Sequence, residues 1–350
     1  MGDDARDHRA RDPLTVARDW HRLDESDVRV RPGKGTRPRS KRRPEHADAV
    51  TAMVVGVDRG RWTCAVDDDP NRLVIAMRAR EMGRTPVVVG DRIGLVGDTS
   101  GQPDTLARIV RVNDRRSVLR RTADDTDPFE RVVVANAEQL VIVSALADPQ
   151  PRRGFIDRCL VAAYAGGLEP LLCLTKSDLA SPDELLAAYA ELDLPVVVTR
   201  SDQDPDELRQ RLVHRLSALI GHSGVGKSTL VNRLVPDANR AVGVVSGVGK
   251  GRHTSTQAVA LPLPEGGWAV DTPGIRSFGL AHITPDDIVG AFPGMRAMAE
   301  ECPSGCGHLG APEDPDCMLD ELVGTGEASP GRLASLRRLL ESRGKFEEYD

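Results

Sequence analysis

The stretch that most constrains this chain is Gly221-His222-Ser223-Gly224-Val225-Gly226-Lys227-Ser228-Thr229, which fits the phosphate-loop pattern G-x-x-x-x-G-K-[ST]. Such a loop works only between a strand and a helix: the strand brings it to a sheet edge, and the helix N-terminus presents aligned N–H groups to phosphate oxygens. Both flanks are present. The apolar run 216–220 reads as the strand, and Leu230, Val231 and Leu234 give the helix its apolar face. An α/β layer is therefore required. Its glycines let backbone N–H groups close around a triphosphate, Lys227 sets a cation against the outer phosphates, and Ser228 offers a hydroxyl to Mg²⁺. The loop does not specify the base.

A chain of 350 residues with 40% hydrophobic content can fill two or three cores. Its first ten residues are polar, and its longest apolar runs, such as 140–147, fall short of a membrane span. A soluble, cytoplasmic protein with no membrane partner is expected, acting as a monomer. The net charge of −6 conceals a basic cluster, Arg29, Arg31, Lys34, Arg37, Arg39, Lys41, Arg42 and Arg43, set among Pro, Gly and Ser without apolar periodicity. That pattern predicts a disordered arm able to track a phosphate backbone, or a solvated tail without a partner.

Five short β-rich segments follow, at 50–57, 62–66, 73–77, 87–96 and 107–112, punctuated by glycines and without a helix between them. They predict a small closed barrel, of the oligonucleotide-binding kind or another. Beyond Trp62 it has almost none of the aromatic residues on which single strands stack. Strands at 132–135, 140–145, 169–174 and 195–199 then alternate with helices at 154–165, 182–191 and 205–215, the rhythm of a mostly parallel sheet. The expected divisions are a basic arm at 1–46, an OB-like barrel at 47–121, a nucleotide-binding α/β domain at 122–282 and a metal-binding helical domain at 283–350.

Thr175-Lys176-Ser177-Asp178 ends the apolar run 171–174, where open α/β sheets place ligand contacts, and it matches the [NT]-K-x-D guanine motif. The Asp178 carboxylate can accept from both N1–H and the 2-amine of guanine, a pair that adenine lacks, while the Lys176 stem lies along the base. Thr199-Arg200-Ser201, ending the next strand, is a candidate backing loop. Asp271-Thr272-Pro273-Gly274 follows the apolar Trp268-Ala269-Val270: Asp271 would reach Mg²⁺ through water, and the Gly274 amide would meet the γ-phosphate. Between these sites, the hydroxyl-rich stretch 249–256 contains Thr254, a candidate Mg²⁺ ligand, with Thr256 in reserve. A Gln usually follows D-x-x-G to orient the attacking water; here Ile275 cannot hydrogen-bond, and His253 is the nearest polar candidate.

The motif order is base, phosphate loop, first switch, second switch, whereas an ordinary GTPase begins with the phosphate loop. The α/β domain is therefore expected to be circularly permuted. Behind it, Cys302-x3-Cys306-x-His308-x8-Cys317 offers three thiolates and one imidazole, a closed tetrahedral set for structural zinc. Leu333, Leu336, Leu339 and Leu340 form one helix face, suited to the zinc loop or a partner.

With T-K-x-D at 175–178, G-x-S-G-V-G-K-S at 221–228, G-R-H-T-x-T at 251–256, D-T-P-G at 271–274 and a Cys₃His cluster behind them, the sequence resembles the ribosome small-subunit-dependent GTPase A family, the RsgA/YjeQ type. The resemblance spans residues 50–343. It implies an OB-like barrel, a permuted GTPase and a zinc domain, bound to the small ribosomal subunit and its rRNA during late maturation, with GTP hydrolysed to GDP under stimulation by that subunit. A small-molecule kinase and an RNA-binding protein with a merely structural nucleotide remain as rival readings.

Overall fold

Strand β1 (Val50–Asp58) divides its side chains between two apolar cores. Ala52 and Val54 point into one cluster with Cys64, Val74, Ile93 and Ile109, while Met53 and Val55 belong to a second, larger one. A strand apolar at successive positions has both faces to bury, since neighbouring side chains point to opposite sides. The computed structural model describes residues 46–121, 131–236, 258–272, 280, 283–292 and 294–344.

The strands β2 (Arg61–Val66), β3 (Asp69–Arg78), β4 (Arg92–Gly97) and β5 (Ala107–Val112) continue from β1 in the order β1-β2-β3-β5-β4, and β4 pairs back with β1. Neighbours are antiparallel except β3 with β5. Closure leaves no free edge, giving the OB-like five-stranded barrel. Trp62 is one of its core residues, 6% exposed, and donates its Nε1–H to the carbonyl of Val87 at 3.0 Å, so it offers no stacking platform. The run 87–96 is not one strand. Fully buried Asp91 accepts from the amide of Val88 at 2.8 Å and from Arg115 at 2.7 and 2.9 Å, and this turns the chain before β4 begins.

Strands β6 (Val118–Arg121) and β7 (Arg131–Ala135) form a separate antiparallel ribbon, so 132–135 is not the first strand of the α/β layer as its pattern implied. That layer is built from β8 (Gln139–Ala145), β9 (Glu169–Thr175), β10 (Val196–Val198), β11 (Leu216–Ile220), β12 (Val259–Pro262) and β13 (Trp268–Asp271), ordered β10-β9-β8-β11-β13-β12. All pairs are parallel except β12 with β13. The carboxyl ends of the five parallel strands therefore share one edge. Helices α1 (Arg153–Gly166), α2 (Asp183–Tyr189), α3 (Asp206–Leu212) and α4 (Lys227–Leu234) connect them. β12 also pairs with β1 through Val259 and Gly56, which makes barrel and layer one eleven-stranded sheet.

Among the described residues four helices follow: α5 (Pro285–Val289), α6 (Arg296–Ala299), α7 (Leu319–Gly324) and α8 (Pro330–Gly344). Leu333, Leu336, Leu339 and Leu340 are all buried, and α8 lies on α1 as well as on α5 and α7. Their apolar face thus joins the core of the nucleotide layer. Arg338 of α8 pairs with Asp157 of α1 at 3.2 Å, and the Tyr189 hydroxyl donates to the same carboxylate at 3.0 Å. Burial pushes the Asp157 carboxyl above its ordinary range, and Arg338 pulls it back. Among the described residues, no helix is long and apolar enough to cross a membrane.

Gly90 and Gly60 allow the contact between the barrel and the β6–β7 ribbon to be tested. Both have left-handed backbones, at φ +87° and +82°, but a Cβ on Gly90 would lie 1.9 Å from the carbonyl oxygen of Ala135, whereas one on Gly60 meets nothing within 4 Å. Gly60→Ala should cost only the left-handed penalty, about 1–2 kcal/mol. Gly90→Ala should cost about 1–3 kcal/mol more, for the clash. Denaturant melts of the two variants measure the difference; equal costs would contradict the close approach.

Candidate nucleotide site and metal centre

The shared strand edge gathers the motifs that the sequence scatters. The loop 221–226 leaves β11, and Gly226 caps α4 with φ +89°, a backbone that only glycine adopts without strain. Lys227 and Ser228 open the helix, with Ser223, Ser228 and Thr229 exposed. The Thr175 hydroxyl at the end of β9 donates to the carbonyl of Val225 at 2.6 Å, tying the base motif to the phosphate loop. Thr175 thus serves the loop rather than facing a base. On the other side, β13 delivers Asp271, whose carboxylate pairs with the Lys227 ammonium; Lys227 also donates to the carbonyl of Thr272 at 3.3 Å. The Thr272 hydroxyl donates to the carbonyl of Leu219 at 2.6 Å, joining β13 to β11.

His222 carries no charge at neutral pH. Burial, then the nearby Arg152 cation, pulls its pKa down to about 4, and its ring lies 3.9 Å from that of Phe155, centre to centre. The positive charge of the loop therefore comes from Lys227 and the helix N-terminus alone. Lys176 adopts a left-handed backbone at φ +60° and donates its ammonium to the carbonyl of Asp148. Ser177 donates both its amide and its hydroxyl to the carbonyl of Thr199 at 3.3 Å. Asp178 is solvent-exposed beside them. Such an edge can seat a triphosphate on Gly221–Thr229 and offer a carboxylate to the base. His253, Thr254, Thr256, Gly274 and Ile275 lie outside the described residues.

The four sulfur and nitrogen ligand atoms of Cys302, Cys306, His308 and Cys317 all lie within 4.8 Å of one another. The Cys302 and Cys317 sulfurs stand 3.5 and 4.0 Å from His308 Nδ1, while His308 Nε2 meets Asp286 Oδ1 at 3.2 Å. Asp286 thereby holds the ring with Nδ1 toward the sulfurs, the arrangement by which an outer carboxylate orients a metal-binding imidazole. The His308 amide donates to the Cys306 sulfur at 3.4 Å. Partial burial, then the neighbouring Cys317 and Cys302 thiols, pushes the Cys306 thiol up to about 12, so a cation is needed if the sulfurs are to ionise together. Asp314 accepts from the amides of Gly307 and Leu309 at 3.0 and 2.9 Å, folding the long 306–317 loop so that Cys317 returns to the cluster. The donor set and its supports fit a tetrahedral zinc ion.

Sequence reasoning missed Asp148, Asp286 and Asp314. Asp314 sat between two candidate ligands as a turn residue, but Asp286 and Asp148 have no fixed spacing to His308 or Lys176 that could have flagged them.

A phosphate loop on the fourth strand of the parallel layer in chain order, with the base motif two strands away on β9 and Asp271 on adjacent β13, defines a circularly permuted phosphate-loop GTPase. The profile of the family described as RsgA GTPase matches residues 112–281. The small ribosomal subunit biogenesis GTPase RsgA of Gemmatimonas aurantiaca is 36% identical over 304 residues, 84% of this chain and 97% of that one. Its Pseudomonas aeruginosa counterpart is 38% identical over 73% of this chain and 76% of its own. Among solved structures, YjeQ from Thermotoga maritima matches with TM-score 0.60 at 26% identity, over 85% of this chain and 99% of that one. YloQ, described as a circularly permuted GTPase, shares the fold at TM-score 0.60 and 20% identity, over 85% of this chain and 96% of its own. The chain belongs to the RsgA GTPase family and is a GTP hydrolase.

If Asp286 orients His308, Asp286→Asn should retain the fold but lower zinc affinity about 10- to 100-fold in a chelator competition. Unchanged affinity would show that the ring is held by the cluster alone.

Proposed function

We propose that this GTPase acts on the small ribosomal subunit, the object for which its relatives are named, binding it and its rRNA during late maturation and leaving after GTP is hydrolysed. The observation that carries the reading is the single strand edge on which β9, β11 and β13 bring the base motif, phosphate loop and Asp271 together in permuted order. In this reading Asp178 selects guanine beside Lys176 and Ser177, and residues 221–229 hold the phosphates with Lys227 on the outer two. Ser228 and Thr254 would hold the Mg²⁺ that accompanies GTP, Asp271 would reach it through water, and the Gly274 amide would meet the γ-phosphate. His253, adjoining Thr254, orients the attacking water in place of the apolar Ile275. Cys302, Cys306, His308 and Cys317 would hold one structural zinc. The protein works as a monomer in the cytoplasm, where ribosomal subunits mature.

Steady-state GTP turnover should be slow for the protein alone and rise strongly with purified small subunits; equal rates in the two conditions would refute the assignment to the subunit. In the same assay, Asp178→Asn should exchange GTP for xanthosine triphosphate, because the amide now matches the 2-oxo group in place of the 2-amine. His253→Ala should keep the basal rate but lose most of the stimulation. Retained GTP preference in the first variant, or full stimulation in the second, would remove that residue from its role.

The basic cluster at 29–43 supplies phosphate contacts that carry no sequence information. Deleting Met1–Pro44 should weaken subunit binding and flatten its salt dependence while turnover without subunits stays constant. A salt slope equal to that of the full chain would leave the arm without this role.

A further inference from the structure

Arg233 lies at the last turn of α4, the helix that the phosphate loop opens, yet its side chain serves the opposite end of the nucleotide site. Its Nη1 donates to the carbonyls of Arg200 and Ser201, each at 3.0 Å, and its guanidinium stands 3.8 Å from the Asp204 carboxylate. The side chain is three-quarters buried, with 25% of it exposed. On the far side of the same loop, the carbonyl of Thr199 is taken by Ser177 of the base motif, and the Thr199 amide donates to the carbonyl of Leu174 at 2.7 Å. Three successive carbonyls, those of Thr199, Arg200 and Ser201, are thus fixed by partners.

A trans peptide points its N–H opposite to its C=O. Fixing those carbonyls therefore fixes the N–H groups of Arg200, Ser201 and Asp202, and turns that of Ser201 away from Arg233, while the Asp202 N–H meets its own carboxylate. A purine with an oxygen at position 6 needs just such a donor, since Asp178 as a carboxylate can only accept. We propose that Arg233 is a positioning residue for base recognition: by holding the Arg200 and Ser201 carbonyls it presents the backbone N–H groups of this loop to the 6-oxo group of guanine. Arg233 touches neither base nor phosphate. This inference rests on the reading of residues 175–178 as the guanine site.

The test compares GDP with 6-thio-GDP, which keeps N1–H and the 2-amine but replaces the 6-oxygen by a poorer acceptor, and with ADP. The full-length protein should bind GDP more tightly than either. Arg233→Met should weaken GDP roughly fivefold, the scale of one neutral hydrogen bond, while 6-thio-GDP changes little, so that the ratio between them shrinks. Arg233→Lys, whose ammonium can still donate to both carbonyls, should recover part of that ratio. A thermal melt of each nucleotide-free variant checks folding. Equal losses for GDP and 6-thio-GDP would mean that Arg233 merely braces α4, and would overturn the proposal, as would an unchanged ratio. Failure of the unaltered protein to prefer GDP over ADP would instead overturn the reading of Asp178, and this proposal with it.

Discussion

The hydrogen bond from the Thr175 hydroxyl to the carbonyl of Val225 joins the end of β9 to the phosphate loop across fifty residues of sequence. It is buried, and its loss would leave a carbonyl without that donor in a region where water is scarce. Around it the site is arranged by sheet register: β8 lies between β9 and β11, and β13 flanks β11 on the other side. Permutation is tolerated because these neighbour relations, not the order in which the chain visits them, determine where loops end. The ordinary connection between phosphate loop and base motif has been replaced by a different path through the same strand positions. The contacts that close the site remain local in space.

The charges at the site hold one another in place. Lys227, the cation proposed for the phosphates, is paired with Asp271, the carboxylate proposed for the Mg²⁺ shell. Each neutralises the other, so neither stands as an uncompensated charge at a partly enclosed edge. A nucleotide with its metal ion would supply both a new anion for Lys227 and a new cation for Asp271, exchanging one pair for two. His222 stays neutral beside them, so its ring adds no cation to the loop near physiological pH.

Much of this was legible in the sequence, for identifiable reasons. The strands β1, β2, β5, β8, β9 and β11 and the helix α1 were readable because apolar periodicity and punctuating glycines are local signals. β12 was missed because it has only four residues and ends in Pro262, and its pairing with β13 and β1 is a tertiary fact. The run 87–96 misled because Val87, Val88 and Val89 look like a strand, while the buried Asp91 carboxylate that turns them is satisfied by Arg115 from a distant segment. The cysteines and His308 announced themselves through crowding, but Asp286 did not, since it reaches the imidazole only after α5 folds. The leucines of α8 showed a buried face without naming what covers it; the answer was α1 of the nucleotide layer.

Met53 and Val55 belong to the larger core although they sit on the first strand of the barrel. Ribosomes make a protein from its N-terminus, and the five barrel strands are complete by Val112. At that stage the inward face of β1 is already packed, while the larger core that takes Met53 and Val55 is only begun, because most of its strands and helices lie further along the chain. α1 is in a similar position, waiting for Leu336 and Leu339 near the end of the chain. The nascent protein therefore carries two incompletely covered apolar surfaces through part of its own synthesis, and the last of the described helices closes the core that β1 began.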